Sequence, residues 1–296
     1  MGVINFDITG GEALLRRDLE VILRRVYEKG MISTLYTNGT LLDNSYVDFL
    51  ASLPIERVQI SIDGAFPETH DKIRGKPGSF QQALNAVAKL KEAGIPVAAG
   101  ATANKINIAE GKELIRLFTD TLKIPFHFDR FIPMGQGLRS EQDLMISDEK
   151  YVQTIAEEFR TLTANDPDPH STDSSDEIGF YCGAGNSYVF ITSRGAVKFC
   201  PTFPDHFSGG NIREHSLKEI WERGRVFTEN RNVNCKYIRT CPHAKECKGG
   251  CRSRSLALYG GIDEPDLQMC KLYYELTGVK SPGLLSRTAE RLLDHP

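Results

Sequence analysis

All seven cysteines of this chain of 296 residues lie between Cys182 and Cys270, and none precedes Cys182. That asymmetry divides the chain before any other feature is read. An odd, clustered set of thiols does not suit a disulfide framework and argues for metal ligation. The spacing is Cys182-x17-Cys200, then Cys235-x5-Cys241-x5-Cys247-x3-Cys251, then x18 and Cys270. In "CPHAKECKGGC" the glycines and proline let closely spaced thiols turn toward one small centre. Thiols at this density do not read as metal-free core residues. Four thiolates suit zinc, and iron–sulfur clusters use the same ligands, so spacing alone leaves both open.

The cysteine-free half repeats a strand–helix pattern. Short apolar or β-branched runs at Ile4–Thr9, Thr34–Thr37, Val58–Ile62, Val97–Thr102 and Phe126–Phe131 read as buried parallel strands. Helical faces lie between and after them: Leu19, Ile22, Leu23 and Val26, stopped by Gly30; Leu84, Val87 and Leu90, from Ser79 to before Gly94; Leu114, Leu117 and Phe118; and Val152, Ile155, Phe159 and Leu162. This is a β/α unit repeated around a parallel sheet. Residues 164–177, "ANDPDPHSTDSSDE", read as a linker. Beyond them come short strands at Val189–Thr192 and Val197–Phe199, a capping box at Ser216–Glu219, and a cysteine-rich remainder held by metal more than by core. The organisation expected is 1–163, a β/α domain; 164–177, a linker; 178–276, a small cysteine-rich α+β domain; and 277–296, a tail.

A net charge of −3 gives no footing for nucleic acid or an anionic membrane surface. No apolar run approaches the roughly 20 residues of a membrane span. The first residues carry no secretory pattern, so the expected compartment is the cytoplasm.

Ligands of parallel β/α proteins sit at the carboxyl ends of the strands. Those ends read Gly10-Gly11-Glu12, Thr37-Asn38-Gly39, Ser61-Ile62-Asp63-Gly64 and Pro133-Met134-Gly135-Gln136-Gly137. Each alone is ordinary turn chemistry. Four at equivalent places favour a ligand, with glycines allowing close backbone approach and Glu12 and Asp63 accepting from an ammonium or a ribose. His70 and Arg74 in "THDKIRGKPGSF" could face the same side, but as lone charged loop residues they read as solvated.

Together the two halves resemble the radical S-adenosylmethionine enzymes that carry a C-terminal SPASM domain. "TGGEALL" is similar to that family's Gly-Gly-Glu-Pro turn, with Ala13 in place of Pro, and "YTNGTLL" and "SIDG" resemble its next strand ends. Cys182, Gly195-x4-Cys200, Cys241-x5-Cys247-x3-Cys251 and Cys270 follow its seven-cysteine pattern. "GNIREHSLKEIW" is also typical of the family. Cys235 departs from it, standing six residues before Cys241 where the family has three.

The resemblance implies a partial (β/α)6 TIM-like barrel, with its first βα unit missing, followed by a SPASM domain. It implies that Gly10, Gly11 and Glu12 meet the methionyl amino group of S-adenosylmethionine, and that Ser61 and Asp63 lie near its ribose and carboxylate. Cys182, Cys200 and Cys251 would hold one auxiliary iron–sulfur cluster, one protein ligand short. Cys235, Cys241, Cys247 and Cys270 would hold a second, both of the 4Fe–4S type. The full-length reaction implied is hydrogen abstraction from a peptide or protein side chain by a 5′-deoxyadenosyl radical. An electron donor such as flavodoxin or ferredoxin would serve it. The cleaving cluster of the family rests on a Cys-x3-Cys-x2-Cys loop ahead of the Gly-Gly-Glu turn, and no cysteine stands there. Taken literally, these 296 residues also suit a non-catalytic iron–sulfur or peptide-binding protein, with a zinc-binding scaffold as a third reading.

Overall fold

A computed structural model describes residues 2–133, 135–165 and 183–286, with residue 136 and residues 157–165 described by their backbone alone. Met134, Cys182, residues 166–177 of the expected linker and residues 287–296 of the expected tail lie outside the described residues. The chain forms two compact units, Met1–Phe131 and Ile132–Pro296.

In the first unit, helices α1 (Leu19–Glu28), α2 (Asn44–Ala51), α3 (Pro67–Arg74), α4 (Ser79–Glu92) and α5 (Gly111–Arg116) alternate with strands β1 (Ser33–Thr37), β2 (Ile55–Ser61), β3 (Val97–Ala103) and β4 (Phe126–Arg130). The four strands form one parallel sheet in the order β1-β2-β3-β4. Leu35 pairs with Val58, and Ile60 with Ala99. All four are fully buried, as the short β-branched and apolar runs require of a sheet covered on its faces. Leu19, Leu23 and Val26 on α1 and Ala83, Ala86, Val87 and Leu90 on α4 supply helix faces of the core.

The expected strand at Ile4–Thr9 is reduced to an extended edge segment. It touches β1 through two parallel bridges, Asn5 to Ile32 and Ile8 to Leu35. The Phe6 and Ile8 N–H groups donate to Ile32 O and Thr34 O at 2.9 and 2.8 Å. Ile4 stays 76% exposed, so this segment lacks the two-sided burial that makes the inner strands regular. After α5 the chain widens into a π-helical turn over Leu117–Leu122, closed by Lys123 in the left-handed region.

In the second unit, the short helix α6 (Glu141–Leu144) precedes α7 (Asp148–Asn165). Strands β5 (Phe190–Ile191), β6 (Ala196–Lys198) and β7 (Ser208–Asn211) form an antiparallel sheet. Helices α8 (Leu217–Arg223), α9 (Arg225–Asn230), α10 (Ala244–Cys247), α11 (Arg252–Tyr259) and α12 (Leu267–Thr277) follow. The predicted capping box starts α8: the Ser216 hydroxyl accepts from Glu219 N–H, and the Glu219 carboxylate accepts from Ser216 N–H at 2.9 Å. A small aromatic core of Phe199, Phe203 and Phe227 with Val197 and Ile220 holds the sheet to α8 and α9. Helix α12 packs along α7, where Lys271 and Tyr259 both reach the Asp148 carboxylate. Among the described residues no helix is long and apolar enough to cross a membrane.

Candidate functional site

The first candidate site lies at the carboxyl end of β1 and the edge segment beside it. Glu12 begins a single 3-10 turn, Ala13–Leu15, and its carboxylate gathers three donors. The Thr37 hydroxyl donates at 2.6 Å, Asn38 N–H at 2.8 Å and Leu14 N–H at 3.0 Å. Thr37 in turn accepts from Gly39 N–H at 3.1 Å. Glu12 therefore ties two neighbouring strand ends together. Next to it the backbone is open: a Cβ placed on Gly10 or Gly11 would meet no atom within 4 Å, and Gly10 takes a φ of +150°. A glycine pair beside a carboxylate, with free space in front, is a cradle that suits a small polar cosubstrate.

Asp63 is buried at the end of β2, and its carboxylate is occupied from within the fold. Oδ1 accepts from Thr102 N–H at 2.8 Å, and Oδ2 pairs with the Arg74 guanidinium at 2.5 Å. The Asp63 carbonyl accepts from Asn107 Nδ2 at 2.8 Å. Ser61, the last residue of β2, is half-buried opposite Gly100 of β3.

The expectation that His70 is solvated is overturned, whereas Arg74 stays exposed while reaching the Asp63 carboxylate. His70 is 2% exposed, its Nδ1 accepts from Asp63 N–H at 3.1 Å, and its ring packs on Phe80. Burial pushes its pKa below the usual histidine value, helped by Arg74 and opposed by Asp63 and Asp71. Glu110 completes this network by accepting from Ala65 N–H at 3.1 Å and from the Thr69 hydroxyl. A Cβ at Gly64 would stand 2.5 Å from His70 N, so only glycine lets α3 come this close to the strand end. The signal missed in the sequence is the four-residue step from His70 to Arg74, which puts both side chains on one face of α3.

The second candidate site is the thiol field. Cys200 and Cys247 are buried, and Cys235, Cys241, Cys251 and Cys270 are half-buried; none of the six is in a disulfide among the described residues. Burial raises the thiol pKa of Cys235 and pushes those of Cys247 and Cys270 up to about 12. The smaller upward contributions come from within the set. Cys241 acts on Cys235 and Cys247, Cys235 on Cys247 and Cys270, and Cys247 on Cys270. The long Cys235–Cys241 interval is absorbed as a turn, with Ile238 N–H donating to Cys235 O and Thr240 N–H to Tyr237 O.

Separately, Cys200 and Cys251 both line a cavity of about 400 Å³, with Phe199, Arg231 and Asn234 in its wall. Among the described residues no three His, Cys, Asp or Glu side chains are drawn in to a shared metal position. The donor chemistry nevertheless fits a metal centre. Buried thiols that hold their protons need a cation to become thiolates, and a metal supplies it.

The class follows from comparison with known proteins. Residues 1–118 match the radical SAM superfamily, and residues 182–251 match SPASM, an iron–sulfur cluster-binding domain. The chain thus carries a radical SAM superfamily domain followed by a SPASM iron–sulfur cluster-binding domain.

Among its relatives is an AdoMet-dependent heme synthase of Methanosarcina barkeri, 29% identical over 88% of this chain and 80% of that protein. Another is a PqqA peptide cyclase of Rhizobium meliloti, 27% identical over 90% of this chain and 74% of that protein. In fold the chain is similar to anSMEcpe with bound AdoMet (TM-score 0.75, 18% identity, covering 100% of this chain and 83% of that one). It is also similar to Streptococcus suis SuiB bound to S-adenosylmethionine (TM-score 0.67, 17% identity, 89% and 65%).

Proposed function

We propose that this chain is the barrel and auxiliary-cluster portion of a maturase that modifies a side chain of a peptide or small protein. The observation that carries the reading is the pairing of the two domain matches, a radical SAM region followed by an iron–sulfur cluster-binding region, in one chain whose cysteines all fall between Cys182 and Cys270. In this reading those four hold one auxiliary cluster, and Cys200 and Cys251, with Cys182, hold the other. Glu12 orients the cosubstrate's ammonium against the Gly10-Gly11 backbone. Ser61 lines the sugar side. Asp63 acts from behind, fixing the β2 and β3 ends through Thr102 and Arg74. When bound, the clusters and S-adenosylmethionine supply one-electron chemistry; the chain's own residues bind, orient and shield. A flavodoxin- or ferredoxin-type protein is the electron donor in this scheme, and the cytoplasm its compartment.

The domain limits proposed are 1–163, 164–177 and 178–276, with 277–296 as a tail. Because no cysteine precedes Cys182, the test supplies a segment bearing Cys-x3-Cys-x2-Cys in frame. Reduced, reconstituted protein is then assayed for 5′-deoxyadenosine with candidate peptides. Peptide-dependent product supports the reading, and product that never depends on peptide rejects it. The Methanosarcina barkeri relative favours a second reading, chemistry on a haem precursor, which the same assay identifies when porphyrin precursors replace peptides.

A further inference from the structure

One buried residue touches both thiol sets. Asp266 is 2% exposed and caps α12, the helix that carries Cys270. Its carbonyl accepts the Cys270 N–H at 3.0 Å. Its carboxylate accepts the Cys251 N–H at 2.8 Å. The two oxygens also take the Arg254 guanidinium in a bidentate fork, Nε to Oδ1 at 2.9 Å and the terminal nitrogen to Oδ2 at 2.5 Å. Arg254 returns to the first set through its own N–H, which donates to Cys251 Sγ at 3.4 Å. Gly250, at φ +71°, keeps the approach open, since a Cβ there would stand 2.7 Å from Asp266. The fork is almost wholly enclosed, with side-chain exposures of 12% for Arg254 and 1% for Asp266.

We propose that the Asp266–Arg254 pair is a shared positioning element of the two auxiliary clusters: it fixes Cys251 relative to Cys270 and sets the reduction potential of both centres through its balanced buried charge. The inference rests on the two-cluster reading above. A thiolate-bound iron–sulfur cluster is anionic, and gaining an electron makes it more so. In a low-dielectric site an unbalanced neighbouring anion opposes reduction and an unbalanced cation favours it. As a matched pair the two charges nearly cancel. Removing either one leaves the other exposed to both clusters. Asp266 meets a member of each set directly, through its carboxylate at Cys251 N–H and its backbone carbonyl at Cys270 N–H. A packing role alone has no reason to give opposite signs for the two partners.

The test uses the chain of 296 residues reconstituted with iron and sulfide, comparing wild type with Arg254→Met, Arg254→Lys and Asp266→Asn. Iron and labile sulfide are counted first, and midpoint potentials are then read by redox titration followed by electron paramagnetic resonance. Arg254→Met is expected to move both potentials negative by at least a tenfold change in the reduction equilibrium, about 59 mV for one electron. Asp266→Asn, which keeps an oxygen for the Cys251 N–H, moves both positive, and Arg254→Lys stays near wild type. Shifts of the same sign in the two charge-removing variants, a shift at one cluster only, or no shift overturns the pairing role while leaving the two-cluster reading intact. Wild-type protein that takes up zinc and no sulfide overturns both. Should Arg254→Met lose its clusters, the sign of the Asp266→Asn shift decides.

Discussion

Replacing Glu12 with alanine removes the acceptor for three donors at once. Asn38 N–H and the Thr37 hydroxyl lie in half-buried surroundings, and Thr37 passes the contact on to Gly39. A hydrogen bond to a charged acceptor contributes about 1.5–3 kcal/mol, and the Leu14 contact, a short turn's cap, about 1 kcal/mol. The three are not additive, because one side chain makes them all. The expected loss is therefore about 3 kcal/mol, confined to the first unit. The assay is urea denaturation read by two probes. The single tryptophan, Trp221, lies on α8 and reports the second unit by fluorescence, while far-ultraviolet circular dichroism reports both. Glu12→Ala should bring a dichroism transition to lower urea and leave the Trp221 transition in place. Glu12→Gln, which keeps one acceptor oxygen, should recover part of the loss. A Glu12→Ala change below about 0.5 kcal/mol, the range of an ordinary surface substitution, would refute the claim that this carboxylate ties the strand ends.

His70 is held below its ordinary pKa, so the unfolded chain binds its proton more readily. The stability it contributes is present above about pH 6.5 and is lost as pH falls through that value toward the depressed folded pKa. His70→Asn, which can still accept from Asp63 N–H, should flatten that part of the pH profile of first-unit unfolding. Ser216→Ala should cost the second unit about 1 kcal/mol by opening the capping box, seen as an earlier Trp221 transition. Cys247→Ala should lose one cluster's worth of iron and lower second-unit stability, with the first unit less affected; unchanged iron content would remove Cys247 from the ligand set.

The inner strands were legible because burial on both faces writes them as unbroken apolar runs. Their expected limits shift by only a few residues, as with Val58–Ile62 against the observed Ile55–Ser61. The edge segment was over-read: Ile4, Phe6 and Ile8 carry the same pattern, but pattern does not reveal whether a strand has neighbours on both sides. The cysteine-rich region was legible from spacing as an iron–sulfur domain, and the long Cys235–Cys241 interval is taken up by turn hydrogen bonds.

What did not show was polar pairing over long sequence distances. Asp63 with Arg74 and Thr102, Thr69 with Glu110, and Asp266 with Arg254 and Cys251 join residues that periodicity treats as unrelated loop charges. Such contacts depend on how elements pack, which no local window contains. Glu12 lay between these cases. Its place at a strand end was visible, but its three internal partners were not.

The cysteine-rich half is proposed to be an iron–sulfur domain with two centres. The most direct measurement is anaerobic reconstitution of the chain followed by iron, zinc and acid-labile sulfide analysis. Two 4Fe–4S clusters give a brown protein with about eight iron and about eight sulfide per chain. A colourless protein with stoichiometric zinc and no labile sulfide would contradict it.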